Sequence, residues 1–328
     1  MKRRDFVMLF GSVAVAWPFV ARAQQTAMPV VGFISGGSGD VLARDADAFR
    51  KGLNETGYVD RQNVTVEYHW LEGRYDRVPA LVADLVRRQV TVIATPGTPV
   101  AALAAKSATA TIPVVFGAPG DPVQLGLVAS LARPGGNVTG INYFSSELVA
   151  KRLRLLHDLV PKAVRIAVLV NPANALTAEP TLREVQEAAH TIGLQIQIFN
   201  ATTIDEIDAA FATLANERPD ALFVGGDTFF FSRRGQIATL ALRERMPAVF
   251  GNSDAVTVGG LMSYSTDIAD MFRQVGVYTG RVLKGKKPAD MPVLQSTKFV
   301  FAINLQTARA LGIEVPAAVL SIADEVIE

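Results

Sequence analysis

The sequence predicts an α/β protein built as two similar lobes, each a parallel sheet with helices on both faces. Three observations lead there. From residue 29 onward, short apolar runs alternate with amphipathic stretches, the pattern of βαβ units. The pattern occurs twice. Gly57 matches Gly193, and residues 112–117 (IPVVFG) match residues 246–251 (MPAVFG), at offsets of 136 and 134 positions. That period is far longer than the ~20–50 residues of a solenoid repeat. Finally, a further β-α-β-α stretch follows the second copy, which a strictly tandem pair of lobes would not need.

Each element has a local reason. Residues 30–34, 90–94 and 112–116 are short, mainly apolar runs read as strands, the last as a fully buried one. Residues 64–70 alternate, with Val64, Val66 and Tyr68 on one side. Between them, residues 45–56 form a helix with Ala46, Phe49 and Leu53 on one face and Gly57 as its stop. Residues 77–88 and 99–107 form two more. In the second copy, strands at 165–170, 194–199, 221–224 and 248–250 alternate with helices at 182–192, 204–216 and 236–245. A helical stretch at 147–160 joins the copies, and its Lys151, Arg152 and Arg154 read as a solvated face. The remainder gives a strand at 261–264, a helix at 268–283, a strand at 299–303 and a helix at 305–311.

Composition narrows the function. The chain has 328 residues, 49% hydrophobic and 19% charged, with a net charge of +1. This predicts well-filled cores rather than disorder, and no basic patch that would suit a nucleic acid. There is no cysteine, which excludes disulfides, thiolate chemistry and a lipid anchor on an N-terminal cysteine. His69, His157 and His190 are scattered and not spaced for a metal. No metal and no cofactor is expected.

Residues 1–23 read as an export signal. Lys2, Arg3 and Arg4 are followed by an apolar stretch too short to span a bilayer, then Ala21-Arg22-Ala23 as a cleavage site. The Arg-Arg pair before Asp5-Phe6-Val7, with Arg22 near the cut, fits twin-arginine export. A general secretory signal with adjacent arginines is the other reading. Either way the mature protein, cut after Ala23, is periplasmic and mildly acidic.

Ligands of open α/β sheets bind outside the carboxyl ends of the strands. Those positions here carry Ser35, Thr98, Ala118, Asp121 and Tyr143 in the first lobe, and Asn171, Asp227 and Asn252 in the second. Hydroxyls, amides and single carboxylates suit hydrogen-bonding a small polar solute without transforming it. Asp121 and Asp227 occupy comparable places, and either could take a cationic group. Asp121, between Gly120 and Pro122, could equally cap its own turn. The glycine-rich turn at 35–39 does not fit a dinucleotide fingerprint, and no nucleophile elbow or P-loop is present. Residues 228–231 (TFFF) form either a hydrophobic loop under the next helix or a lid over an apolar part of the ligand.

The run DPV–GLV–SL–RPGGN–TG at 121–140, the export signal and INLQTARALG at 303–312 resemble an ABC-transporter substrate-binding family, near its tryptophan and aromatic amino acid branch. The resemblance implies the type I periplasmic binding protein fold, two Rossmann-like lobes joined by a three-stranded hinge. It also implies a function: an exported monomer that captures a small molecule and delivers it to the membrane permease of an ABC transporter. A ligand sensor for a membrane receptor is the alternative, and a secreted α/β enzyme a third. With three crossings, near Asn142, Ser253 and Val293, lobe one is 29–142 plus 253–292. Lobe two is 143–252 plus 293–328.

Overall fold

The computed structural model describes residues 28–143 and 148–328. The export segment and its cleavage site lie outside the described residues. The first lobe runs β1 (Val30–Ser35), α1 (Ala43–Glu55), β2 (Thr65–Trp70), α2 (Val78–Arg87), β3 (Val92–Pro96), α3 (Pro99–Ala108), β4 (Val114–Pro119) and β5 (Val138–Tyr143). The second runs α4 (Val149–Leu159), β6 (Arg165–Val170), α5 (Ala175–Ile192), β7 (Gln195–Asn200), α6 (Ile204–Glu217), β8 (Ala221–Val224), α7 (Thr228–Ser232), α8 (Arg234–Arg243), β9 (Ala248–Phe250), α9 (Asp254–Thr257) and β10 (Met262–Thr266). The chain ends with α10 (Ile268–Leu283), β11 (Leu294–Gln295), β12 (Phe299–Asn304), α11 (Leu305–Leu311), α12 (Ala317–Leu320) and β13 (Glu325–Ile327).

The duplication is exact in topology. The first sheet has the order β11-β5-β4-β3-β1-β2 and the second β13-β12-β10-β9-β8-β6-β7. Without the late strands, both read fifth-fourth-third-first-second. All pairs are parallel except β10 with β12, which is antiparallel. The central strands are apolar because helices cover both faces. On the first sheet, Ile34, Leu85, Ala102 and Phe116 share one core with α2 and α3. On its other face, Phe33, Phe49, Met271 and Val275 share another with α1 and α10. In each sheet the chain leaves the first strand toward opposite edges, creating a switch point between β1 and β3 and another between β6 and β8.

Four expectations need correction. The second crossing is not near Ser253. α9 and β10 complete the second sheet, with Met262 paired to Val249, so the chain crosses at Asp267. β10 is the counterpart of β5, and the lobe is unfinished without it. The third crossing falls after Gln295, because Leu294 and Gln295 pair with Ile141 and Asn142 of β5. Helix α5 begins at Ala175 rather than 182, holding Pro180 in its second turn, where it removes one backbone donor. Arg152 is not solvated: it is buried, with its guanidinium 4.8 Å from the centre of the Phe223 ring.

Helix α10 returns to lobe one by lying directly on α1. A Cβ added at Gly52 would fall onto the Arg273 carbonyl oxygen, and one at Gly276 onto that of Phe49. Only glycine permits this backbone approach. Gly52→Ala and Gly276→Ala are each expected to cost ~1–3 kcal/mol or more by overpacking. Gly235, in α8 with nothing within 4 Å of an added Cβ, should gain up to ~1 kcal/mol as alanine. Urea unfolding of the three variants checks this; equal stability at all three positions would contradict the close packing.

Candidate functional site

The two switch points face each other. At the end of β8, Asp227 starts α7 and is only 5% exposed. Its carboxylate accepts four hydrogen bonds. Oδ1 takes Asn171 Nδ2 at 3.0 Å and the Phe229 amide at 2.9 Å; Oδ2 takes Asn174 Nδ2 at 2.8 Å and the Tyr75 hydroxyl at 3.2 Å. Three of these donors belong to lobe two. Tyr75 belongs to lobe one, in a short 3₁₀ turn after β2. Burial pushes the Asp227 carboxyl up, while the bonds from Asn171, Asn174, Phe229 and Tyr75 pull it down. Burial, followed by the Asp227 charge, holds Tyr75 well above the ordinary phenol range. Tyr75 is therefore a donor at any physiological pH.

Two further bonds cross at the same place. Thr228 Oγ1 donates to the Gly97 carbonyl at 3.0 Å, and the Ser38 amide donates to Ser232 Oγ at 3.1 Å. Side chains from both lobes crowd Gly36 here. A Cβ at Gly36 would lie 2.9 Å from the Tyr75 hydroxyl and 3.1 Å from Thr228 Cβ. The lobes are in contact through α7 and the loops after β1 and β3.

The expected site residues divide by position. Ser35, Thr98, Asn171 and Asp227 stand at the two switch points and are buried. Ser35 Oγ has no hydrogen-bond partner among the described residues, nor does Thr95 Oγ1 on β3. Thr98 bonds only locally, its hydroxyl to the Pro96 carbonyl at 3.4 Å. Asn171 both serves Asp227 and caps the turn after β6, accepting from Ala173 N at 3.1 Å. Ala118 is buried within β4. Tyr143, at the end of β5, is buried; burial first, and then the Asp227 charge, pushes its hydroxyl up.

Asp121 and Asn252 border two different cavities. Asp121 is exposed and caps its own turn, accepting from Val123 N at 2.8 Å. It also borders a cavity of about 430 Å³ between the loop after β4 and the start of α5, with Pro119, Leu125, Leu176, Thr177 and Pro180. Thr177 is 8% exposed, and its Oγ1 has no partner among the described residues. Asn252 caps α9 by accepting from Ala255 N at 3.2 Å, beside a smaller cavity. In residues 228–231, Phe229 and Phe230 are buried in the core under α8, as the hydrophobic-loop reading required. Phe231 instead borders a small cavity with Tyr143 and Arg152.

Tyr75, Asn174 and Thr177 were not singled out by sequence. Asn174 had a usable signal: it lies three residues after Asn171 in a Pro-containing turn, at the start of a helix. Tyr75 had none, because it reaches the site only when the other lobe is present. Among the described residues, no group of His, Cys, Asp and Glu could hold a metal ion.

Comparison with known proteins decides the family. The family described as ABC transporter substrate binding protein matches residues 29–327. The chain belongs to it. A relative named tyrosine-binding protein, from Clostridioides difficile strain R20291, is 27% identical over 273 residues, spanning 83% of this chain and 78% of its own. The ABC domain of a Streptococcus pneumonia protein in complex with L-Trp superposes with a TM-score of 0.79 at 28% identity, over 90% of this chain and 100% of that one. A conserved domain protein from Vibrio cholerae superposes at 0.82 with 26% identity, over 91% and 99%. The ligand-free, open structure of a Clostridium difficile substrate binding protein superposes less well, at 0.62 with 25% identity over 91% and 99%. This chain is thus a two-lobed ABC transporter substrate-binding protein of the type I periplasmic binding fold.

Tyr75→Phe removes the only cross-lobe donor to Asp227 among the described residues. A hydrogen bond to a charged group is worth ~1.5–3 kcal/mol, so the lobes of this variant should separate more readily. Hydrogen exchange at the Ser38 and Phe229 amides should quicken by about tenfold or more, while the urea unfolding midpoint holds. Unchanged exchange would show that Tyr75 does not latch the lobes.

Proposed function

We propose that the chain is an exported periplasmic protein that captures a small zwitterion, an amino acid in the first instance, between its lobes. It then presents the closed form to the membrane permease of an ABC transporter. The observation that carries this reading is the meeting of the two switch points: a buried carboxylate on one side, and the unpartnered hydroxyls of Ser35 and Thr95 on the other. An ammonium group suits Asp227, and a carboxylate suits hydroxyls beside the amino end of α3.

A carboxylate offers about four acceptor sites, and Asp227 has four donors. A ligand ammonium therefore replaces one of them. The Tyr75 bond is the longest, and Tyr75 belongs to the lobe that moves away on opening. In this reading Tyr75 keeps the place that the ammonium takes. The remainder of the ligand extends toward Thr177 and the 430 Å³ cavity, which has room for an aromatic or aliphatic side chain. The relatives' names, one binding tyrosine and one in complex with L-Trp, support an amino acid. No catalytic step is assigned, because the Asp227 carboxylate is held by its donors and no histidine belongs to the switch points.

Calorimetry with L-tyrosine and L-tryptophan as probes tests this. Asp227→Asn should weaken binding by ~2–5 kcal/mol, about 30-fold or more. Asp121→Asn should change it by less than about threefold, as for an exposed charge. Tyr75→Phe should leave affinity intact or tighten it. If Asp227→Asn binds as tightly as the parent, the ammonium role is wrong. Export is tested separately: Arg3→Lys with Arg4→Lys should leave unprocessed precursor inside the cell, and normal export of that variant would remove the twin-arginine route.

A further inference from the structure

We propose that closing the cleft takes up a proton at Asp45, so that acid favours the closed form. The geometry is a pair of carboxylates brought together from opposite lobes. Asp45 lies in the first turn of α1 and is 7% exposed. With Arg44 it walls a cavity of about 80 Å³ whose far side is Asn252, Ser253 and Asp254 of lobe two, and whose floor is the second crossing at Asp267. Arg44 spans the seam to Asp254 at 3.0 Å. This cavity shares no lining residue with the one beside Asp121 and takes no part in the binding scheme above.

Charges from several elements act on Asp45. Asp254 comes from α9 and Asp267 caps α10; both disfavour a second negative charge. Arg44 from α1 and Arg234 from α8 act the other way. Glu325 of β13 borders the same cavity. Burial is the largest influence and, with Asp254, pushes the Asp45 carboxyl up to about 7. Separating the lobes removes Asp254 and returns water to Asp45, so its carboxyl falls back toward the ordinary aspartate range near ~4.

The sign follows from linkage. The closed form has the higher pKa and binds the proton more tightly. Closure is therefore strengthened as pH falls below about 7, by at most about tenfold per pH unit, and the gain levels off near the ordinary value. Above pH 7 the closed form must hold Asp45 charged beside Asp254 and Asp267, and the gain is gone. Asp227 is also buried, so part of any pH response belongs to it; the Asp45 variants separate the two.

The chain has no native cysteine, so spin labels at Ser107→Cys on α3 and Glu187→Cys on α5 report the separation of the lobes. Electron–electron distance measurements on the ligand-free protein should show the short-distance fraction growing at least about threefold between roughly pH 8 and pH 5.5. Asp45→Asn should flatten that response and be as closed at pH 8 as the labelled parent, or more so. If Asp45→Asn does not fold, Asp254→Asn serves: it removes the facing charge and should move the midpoint to lower pH. A parent whose distances ignore pH, or variants that titrate like the parent, would overturn the proposal.

Discussion

A carboxylate sealed from water must be surrounded by donors, and Asp227 is. Desolvating a charge is tolerable only when hydrogen bonds replace the lost water. Lobe two supplies three of the four and stops there. The fourth, Tyr75, arrives only when lobe one is against it. An incomplete donor set on one lobe, completed from the other, gives the cleft a reason to close. It also gives the cleft a place where a soluble cation can compete. Two other cross-lobe bonds beside it, Thr228 to Gly97 and Ser38 to Ser232, are the local consequences of bringing α7 that close.

The fold exists to hold those groups opposite one another. Each lobe repeats the same strand order, so each has one switch point, and the three crossings turn the two toward each other. The crossings bind the lobes to a single hinge line: β11 joins the edge of the first sheet beside β5, and β12 joins the second beside β10. Helix α10 anchors the returning chain through contacts at Gly52 and Gly276 that admit no side chain. A hinge of three segments bends more readily than it twists. In the proposed scheme, bending at that hinge would carry Tyr75 toward or away from Asp227 without disturbing either sheet.

Much of this was legible in the sequence. The apolar runs marked the strands because both faces of each sheet are covered, and the paired glycines at 57 and 193 exposed the duplication. Ser35, Thr98, Asn171 and Asp227 could be placed at strand ends by reading the apolar runs, and strand ends are where open α/β sheets bind ligands. The second crossing was misplaced because the visible repeat ended at the IPVVFG-like run, one strand short of the lobe's real end at Thr266. Tyr75 was invisible because its role comes from the other lobe. Arg152 looked solvated because its neighbours on the helix are, yet its own position faces Phe223. Asp121 offered both of its readings from the start, and the structure places its carboxylate on its own turn and beside a cavity at once.

The most direct test is a crystal structure of the protein soaked or co-crystallised with L-tyrosine. The account predicts the amino acid between the lobes, its ammonium bonded to Asp227 in place of the Tyr75 hydroxyl. Its carboxylate would lie within hydrogen-bond distance of Ser35 Oγ or Thr95 Oγ1. L-Tyrosine bound away from the two switch points, or bound there with the Tyr75–Asp227 bond intact, would contradict it.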